Sequence, residues 1–170
     1  MTMVRSLTIL DFGRADIDLG GLSLRSLDLS TGASEARIDV SEPNPRTMDR
    51  ATFEVGAADV TLAGLGNLGA ERLDIEAGVG SVTVGLNGAW RRDATLSIEM
   101  GLGSLELRIP QGLGVRLRKE SFLTSFDPQE MVRRGDAWYS LDWEEAERRV
   151  TIDLEAAFGS VTIVWMDQDR

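Results

Sequence analysis

Apolar residues alternate along this chain in short runs that halt at a glycine and then resume, and the pattern is written six times. The copies span Leu7–Leu19, Leu27–Val40, Phe53–Leu62, Leu73–Val84, Leu96–Leu107 and Ile152–Ile163. In the clearest of them Leu73 and Ile75 precede Val82 and Val84, Leu96 and Ile98 precede Leu105 and Leu107, and Ile152 and Leu154 precede Val161 and Ile163. A period of two means strands with one face turned inward. The residues between them, among them Asp74, Glu76, Ser97, Glu99, Asp153 and Thr162, then line an outer, wetted face. Glycines fall at the joints, at Gly13, Gly32, Gly56, Gly78, Gly80, Gly101, Gly103 and Gly159. They read as turn glycines, placed where a chain rounding a corner needs conformations closed to other residues.

Two geometries fit this writing: antiparallel hairpins in a sandwich, or strands of a coiling solenoid whose rungs stack their apolar sides inward. Self-similarity favours the solenoid, because stacked rungs set each residue above its counterpart, whereas hairpins need not resemble one another. The expected fold is therefore an all-β, single-domain β-solenoid over residues 1–170, with at most one or two short helices. The long gap before Ile152 has room for two degenerate units. Its Asp127-Pro128-Gln129-Glu130 and Asp142-Trp143-Glu144-Glu145 stretches each place Glu three residues after a capping Asp, which predicts two short helices. Gly135 to Tyr139 reads as a turn and strand. The final strands, Ile152 to Trp165, are expected to cap the stack, with the N-terminal segment and the Trp165-Met166 stretch covering its open ends.

Composition removes several classes of function. The 170 residues contain neither histidine nor cysteine. Ser-His-Asp, Cys-His and zinc-hydrolase mechanisms are thereby excluded, as are disulfides. A net charge of −10, from 28 acidic and 18 basic residues, argues against nucleic acid as a partner. No apolar run approaches a membrane span and no signal peptide is evident. The chain reads as soluble, either cytoplasmic or held at a membrane through a partner or a separate membrane segment.

Candidate chemistry is sparse. Gly64-Leu65-Gly66-Asn67-Leu68-Gly69 matches the dinucleotide-binding spacing, but a strand rather than a helix follows it, so it reads as a flexible inter-rung loop and no cofactor is expected. Asp11, Asp16 and Asp18, or Glu144, Glu145 and Glu147, could in principle ligate a cation or form a hydrolytic pair. They lack the spacing of known calcium loops and read as a solvated face, with no metal and no catalytic residues expected. Trp138, Tyr139 and Trp143 cluster in sequence. They suit a plug at the flank of the core, with a contact site for a protein or a sugar as the alternative.

The stretches DFGRADIDL, LDIEAGVGSVTVGL, IEMGLGSLELRIP followed by GVRL, and the ending WYSLDWEEAERRVTIDLEAAFGSVTI resemble the C-terminal domain of LiaF-like proteins, the cell-wall-active antibiotics response proteins. They also resemble the related toast-rack and adhesin-like β-solenoid domains. The resemblance spans about residues 7–165. It implies a non-catalytic binding or regulatory module of the envelope-stress response, one that in LiaF-like proteins restrains a membrane sensor kinase. The family typically carries N-terminal membrane helices, which this chain lacks. An adhesin-like or self-assembling structural solenoid, with homo-oligomeric contacts, is the alternative, and a polysaccharide-binding module is a further one.

Overall fold

The structure, a computed structural model, describes residues 7–9, 13–32 and 35–167. Its strands are β1 (Leu7–Ile9), β2 (Arg14–Asp18), β3 (Ser26–Thr31), β4 (Glu35–Asp39), β5 (Met48–Ala63), β6 (Ala70–Gly85), β7 (Ala94–Pro110), β8 (Gly114–Asp127), β9 (Met131–Arg134), β10 (Ala137–Ser140) and β11 (Arg149–Met166). The fold is an all-β solenoid. The long strands pair in parallel, β5 with β6, β6 with β7, β7 with β11 and β11 with β8. In the earlier rungs two shorter strands do the work of one: β1 and β3 stack on the first half of β5, and β2 and β4 on its second half.

Why one strand makes a whole rung is visible in its parity. Ile75 and Val82 are both buried, as are Ile98 with Leu105 and Leu154 with Val161. An odd separation places two residues on opposite faces of a straight strand. Both can enter one core only if the chain bends between them. At that corner Gly80, Gly103 and Gly159 take φ of 142°, 139° and 138°, and they lie in register on adjacent strands. The two arms of each rung then close over one core, in which Phe53, Leu73, Ile75, Leu96, Ile98 and Ile152 are at most 1% exposed.

The opposite corner is made of loops braced by asparagines. Asn44, 2% exposed, donates to the carbonyls of Leu24 and Leu68 and accepts from the Leu24 amide. Asn67 donates to Val40 O at 2.7 Å and accepts from Ala89 N at 2.8 Å, and Asn87 accepts from Gly64 N at 2.8 Å. Each side chain thus satisfies backbone groups of a neighbouring rung that no sheet ladder reaches. On the early rungs the Ser41 hydroxyl, then the Gly20 and Ser41 amides, hold the Asp18 carboxyl below its ordinary range.

Four expectations need correction. The 64–69 segment is not a flexible loop: Leu65–Leu68 form a 3-10 helix, flanked by left-handed Gly64 and Gly69, with Leu65 and Leu68 fully buried. The two capped stretches make turns rather than helices, since Met131–Arg134 is drawn into an antiparallel hairpin with β10 and the Asp142 carbonyl closes a single turn to Glu145 and Ala146. The final strand does not cap the stack: β11 lies between β7 and β8, and the hairpin β10-β9 covers the first arm of β8. Gly159 sits beside Gly103, where a Cβ would come 1.7 Å from the Gly103 oxygen, and β8 sets Thr124 against the outer side of Gly159 at the same register. Trp165 accordingly pairs with Ile109 inside the sheet, its indole N–H donating to Gln129 O at 2.9 Å.

Candidate binding groove

Parallel, in-register stacking sets like residues in rows across the strands. One row carries five glutamates in succession: Glu54 opposes Glu76, Glu76 opposes Glu99, Glu99 opposes Glu155, and Glu155 opposes Glu120. Strand spacing places these carboxylates about 4.8 Å apart along the solenoid axis. All five are exposed. Glu54 accepts a hydrogen bond from the Ser30 hydroxyl at 3.1 Å, but among the described residues no ion pair neutralises any of the five. The outward row two residues earlier is different, with Arg50 on Asp74 at 2.6 Å and Arg118 on Asp153 at 3.0 Å. Charge has been compensated in one row and left in the next.

Beside the glutamates runs a groove of about 1320 Å³. Its floor is the row Gly32, Gly56, Gly78, Gly101 and Ala157, and Phe158 lines its far side. Phe158 is in register with Leu102, and Leu102 with Val79, and these three remain 45%, 48% and 52% exposed. A row of large apolar side chains left in water marks a contact surface more often than a structural need. Lys119, the chain's single lysine, lines the groove at its β8 end. Its ammonium donates to Thr124 O at 3.3 Å and lies over the Phe126 ring.

The glycines predicted as one class of turn residue separate into two rows. Gly80, Gly103 and Gly159 form the corner, where a Cβ on Gly103 would stand 1.8 Å from the Gly80 oxygen. In the floor row, a Cβ on Gly56 or Gly78 would meet nothing nearer than 3.7 Å, and Gly32 has open space. None of these three has a positive φ. Neither backbone conformation nor crowding requires glycine at Gly32, Gly56 or Gly78, and its effect there is to leave the groove open. Gly101 in the same row is more crowded, 2.5 Å from the Gly78 oxygen. Gly13 precedes β2 and accepts from Glu35 N at 3.3 Å.

Trp138, Tyr139 and Trp143 lie outside the groove, at the β8-β10-β9 end. Trp138 packs on the core and edge-on to Phe126, with centroids 5.8 Å apart. Its neighbour Tyr139 makes an edge contact with Trp143 at 5.3 Å, and Arg116, Arg134 and Arg149 stack over this second pair. Successive residues of β10 point to opposite faces, so the three aromatics form no common surface. Of the acidic candidates, Asp16 pairs with Arg14 and Glu144 with Arg134, Glu145 and Glu147 line a separate cavity beside Asp142, and Asp11 lies outside the described residues. Among the described residues no three acidic side chains converge to hold a metal ion. Sequence reasoning placed Glu76 and Glu99 on a wetted face without aligning them, and it missed the asparagine braces.

The uncompensated row should be measurable. Like charges directly opposite on neighbouring strands are destabilising. The double variant Glu76→Gln, Glu99→Gln removes three such juxtapositions and is expected to gain on the order of 1 kcal/mol, a rise in Tm of roughly 2–4 °C. Scanning calorimetry should also show the wild type gaining more than the variant between about 0.01 and 0.15 M salt, as the screening length falls from about 30 to about 8 Å.

The rungs, the open groove and the charge row define an all-β solenoid with one exposed acidic face. Residues 50–108, which run from β5 through most of β7, match the N-terminal domain of toast_rack, DUF2154. The crystal structure of a "putative cell adhesion protein" from Clostridium sporogenes ATCC 15579 shares the fold, with a TM-score of 0.66, 13% identity, and coverage of 95% of this chain and 93% of that one. The first is a likeness to the toast-rack family over the central rungs, and the second is a likeness of fold along nearly the whole chain. No curated protein matches the sequence. Among the described residues no helix is long and apolar enough to cross a membrane.

Proposed function

We propose that the protein is a binding and regulatory module that engages a protein partner through the glutamate groove, in the manner of LiaF-like proteins that restrain a membrane sensor kinase. One observation carries the reading: five glutamates stand in register beside an open, glycine-floored groove, and no arginine or lysine of the described chain neutralises them. Such a face suits selective capture of a charged partner, because electrostatic complementarity sets association rate and specificity. The protein would then sit at a membrane through that partner.

The test takes the purified protein as bait for detergent-solubilised envelope membranes of its source organism, beside Glu76→Gln, Glu99→Gln. Expected are recovery of a sensor kinase by the wild type, loss of it with the variant, and lowered autophosphorylation of the purified kinase when the protein is added. A recovered kinase whose autophosphorylation ignores saturating protein would overturn the regulatory reading. A second reading, a self-assembling structural solenoid, has its own support in the adhesion-named structural neighbour and in the edge strand β9, where Val132 is 45% exposed. Recovery of nothing but the bait itself, with concentration-dependent growth in light scattering, would move that reading ahead.

A further inference from the structure

The groove also carries information about the shape of what it takes. It crosses the face of the sheet, not an edge. The strands that carry its floor, β6, β7 and β11, are each paired with neighbours on both sides before and after the floor residues, so an incoming chain finds no open strand edge there and cannot add as a strand. Recognition must come from side chains: carboxylates along one lip and Phe158 on the other, with Leu102 and Val79 continuing the Phe158 row just beyond the groove.

The spacing selects a conformation. Five glutamates at about 4.8 Å span about 19 Å. An extended strand repeats its side chains on one face every ~6.7 Å and falls out of step after one rung. A helical turn of about 5.4 Å drifts by about 2 Å over the row. A polyproline II helix, with three residues per turn at about 3.1 Å each, repeats every ~9.3 Å, which falls within about 0.3 Å of two rungs. We propose, resting on the reading of the groove as a protein-binding site, that it takes a proline-containing segment of polyproline II form with a basic residue at every third position. The basic side chains meet every second glutamate, Glu54, Glu99 and Glu120, and intervening apolar side chains rest against Phe158 and the exposed apolar row that Leu102 and Val79 continue beyond it. The bare floor at Gly56 and Gly78 admits the segment's backbone.

The probe is a fluorescein-labelled nonapeptide of three Arg-Leu-Pro repeats, compared with three Glu-Leu-Pro repeats and with nona-arginine, and read by fluorescence anisotropy against the whole protein. Expected are saturable binding of the first peptide and none of the second. Affinity should weaken at least roughly tenfold in Glu54→Gln, Glu99→Gln, Glu120→Gln and fall steeply with salt. It should also weaken when the floor is filled in Gly56→Val, Gly78→Val, with Gly56→Ala, Gly78→Ala as the milder variant and circular dichroism confirming that each remains folded. Several outcomes would overturn the proposal: no binding to the folded protein, binding indifferent to both the charge and the floor variants, or nona-arginine binding as tightly and as sensitively to the floor variants. Sedimentation showing a wild-type dimer that dissociates on filling the floor would overturn it too, assigning the groove to a second copy. Since this assay contains no kinase, its failure leaves kinase restraint to the membrane experiment, and failure there leaves peptide binding untouched.

Discussion

Replacing Gly103 by alanine is expected to remove about 3–5 kcal/mol of stability, the range reached when a substitution combines backbone strain with steric overlap. The new methyl group would stand 1.8 Å from the Gly80 carbonyl oxygen, in a residue whose φ is 139°. Neither problem has a local remedy. Turning the carbonyl away breaks a ladder bond of the same corner, and moving the rung disturbs Gly159, which is packed on Gly103 by the same geometry. In thermal unfolding this corresponds to a fall of roughly 6–20 °C in Tm. Gly78→Ala is the control. Two residues away on the neighbouring strand, its Cβ has only ordinary contacts, and because alanine gives up less backbone freedom than glycine, the change should lie between neutral and about 1 kcal/mol stabilising. Equal losses at the two positions would show that the corner row and the floor row are not distinct.

A chain ending at Arg148 is expected to lose cooperative unfolding altogether. The deletion removes β11, which pairs along one side with β7 and along the other with β8, and takes Val150, Ile152, Leu154, Val161 and Ile163 out of the core. Full burial of each such side chain is worth about 1.5–3 kcal/mol, so the five together match or exceed the 5–15 kcal/mol of a typical domain. Two unpaired strand edges would also be left about 10 Å apart, twice the spacing that a ladder tolerates. Removal of a cap would give a milder result, a shortened solenoid that still melts cooperatively. Urea unfolding followed by circular dichroism separates the two: a sloping, midpoint-free curve is expected, and a sharp transition would sink the argument.

Much of the solenoid was legible in the sequence because its signals are local. Alternation in Leu73 to Val84 and in Leu96 to Ile109, broken each time at a Gly-x-Gly corner, requires no knowledge of partners. The glutamate row was legible only as separate charges. That Glu99 stands between Glu76 and Glu155 depends on strand order, and strand order here departs from chain order. The exchange of β11 and β8 was hidden for the same reason: the alternation of Val115 and Leu117 is as good as that of Val150 and Ile152, and nothing local says which of the two follows β7 in the sheet. The predicted helices failed because capping residues mark where a helix can begin, while its persistence depends on length and a packing face. Tyr139 and Trp143 drew notice by composition, yet of the arginines over them only Arg134 and Arg149 are near in sequence, while Arg116 reaches Tyr139 from β8, beyond any local window.

The place of β11 also bears on how the protein is made. A simple solenoid can zip up from its first rung as the chain leaves the ribosome, each new rung finding a finished template. Here β8, β9 and β10 are synthesised before the strand that joins them to β7 exists. Until β11 emerges, β7 presents a bare template and β8 is a ready competitor for it, in the same parallel sense and with the same apolar spacing. The nascent protein is therefore expected to face a sorting step, in which a provisional β7-β8 pairing must be avoided or undone before β11 takes its place between the two.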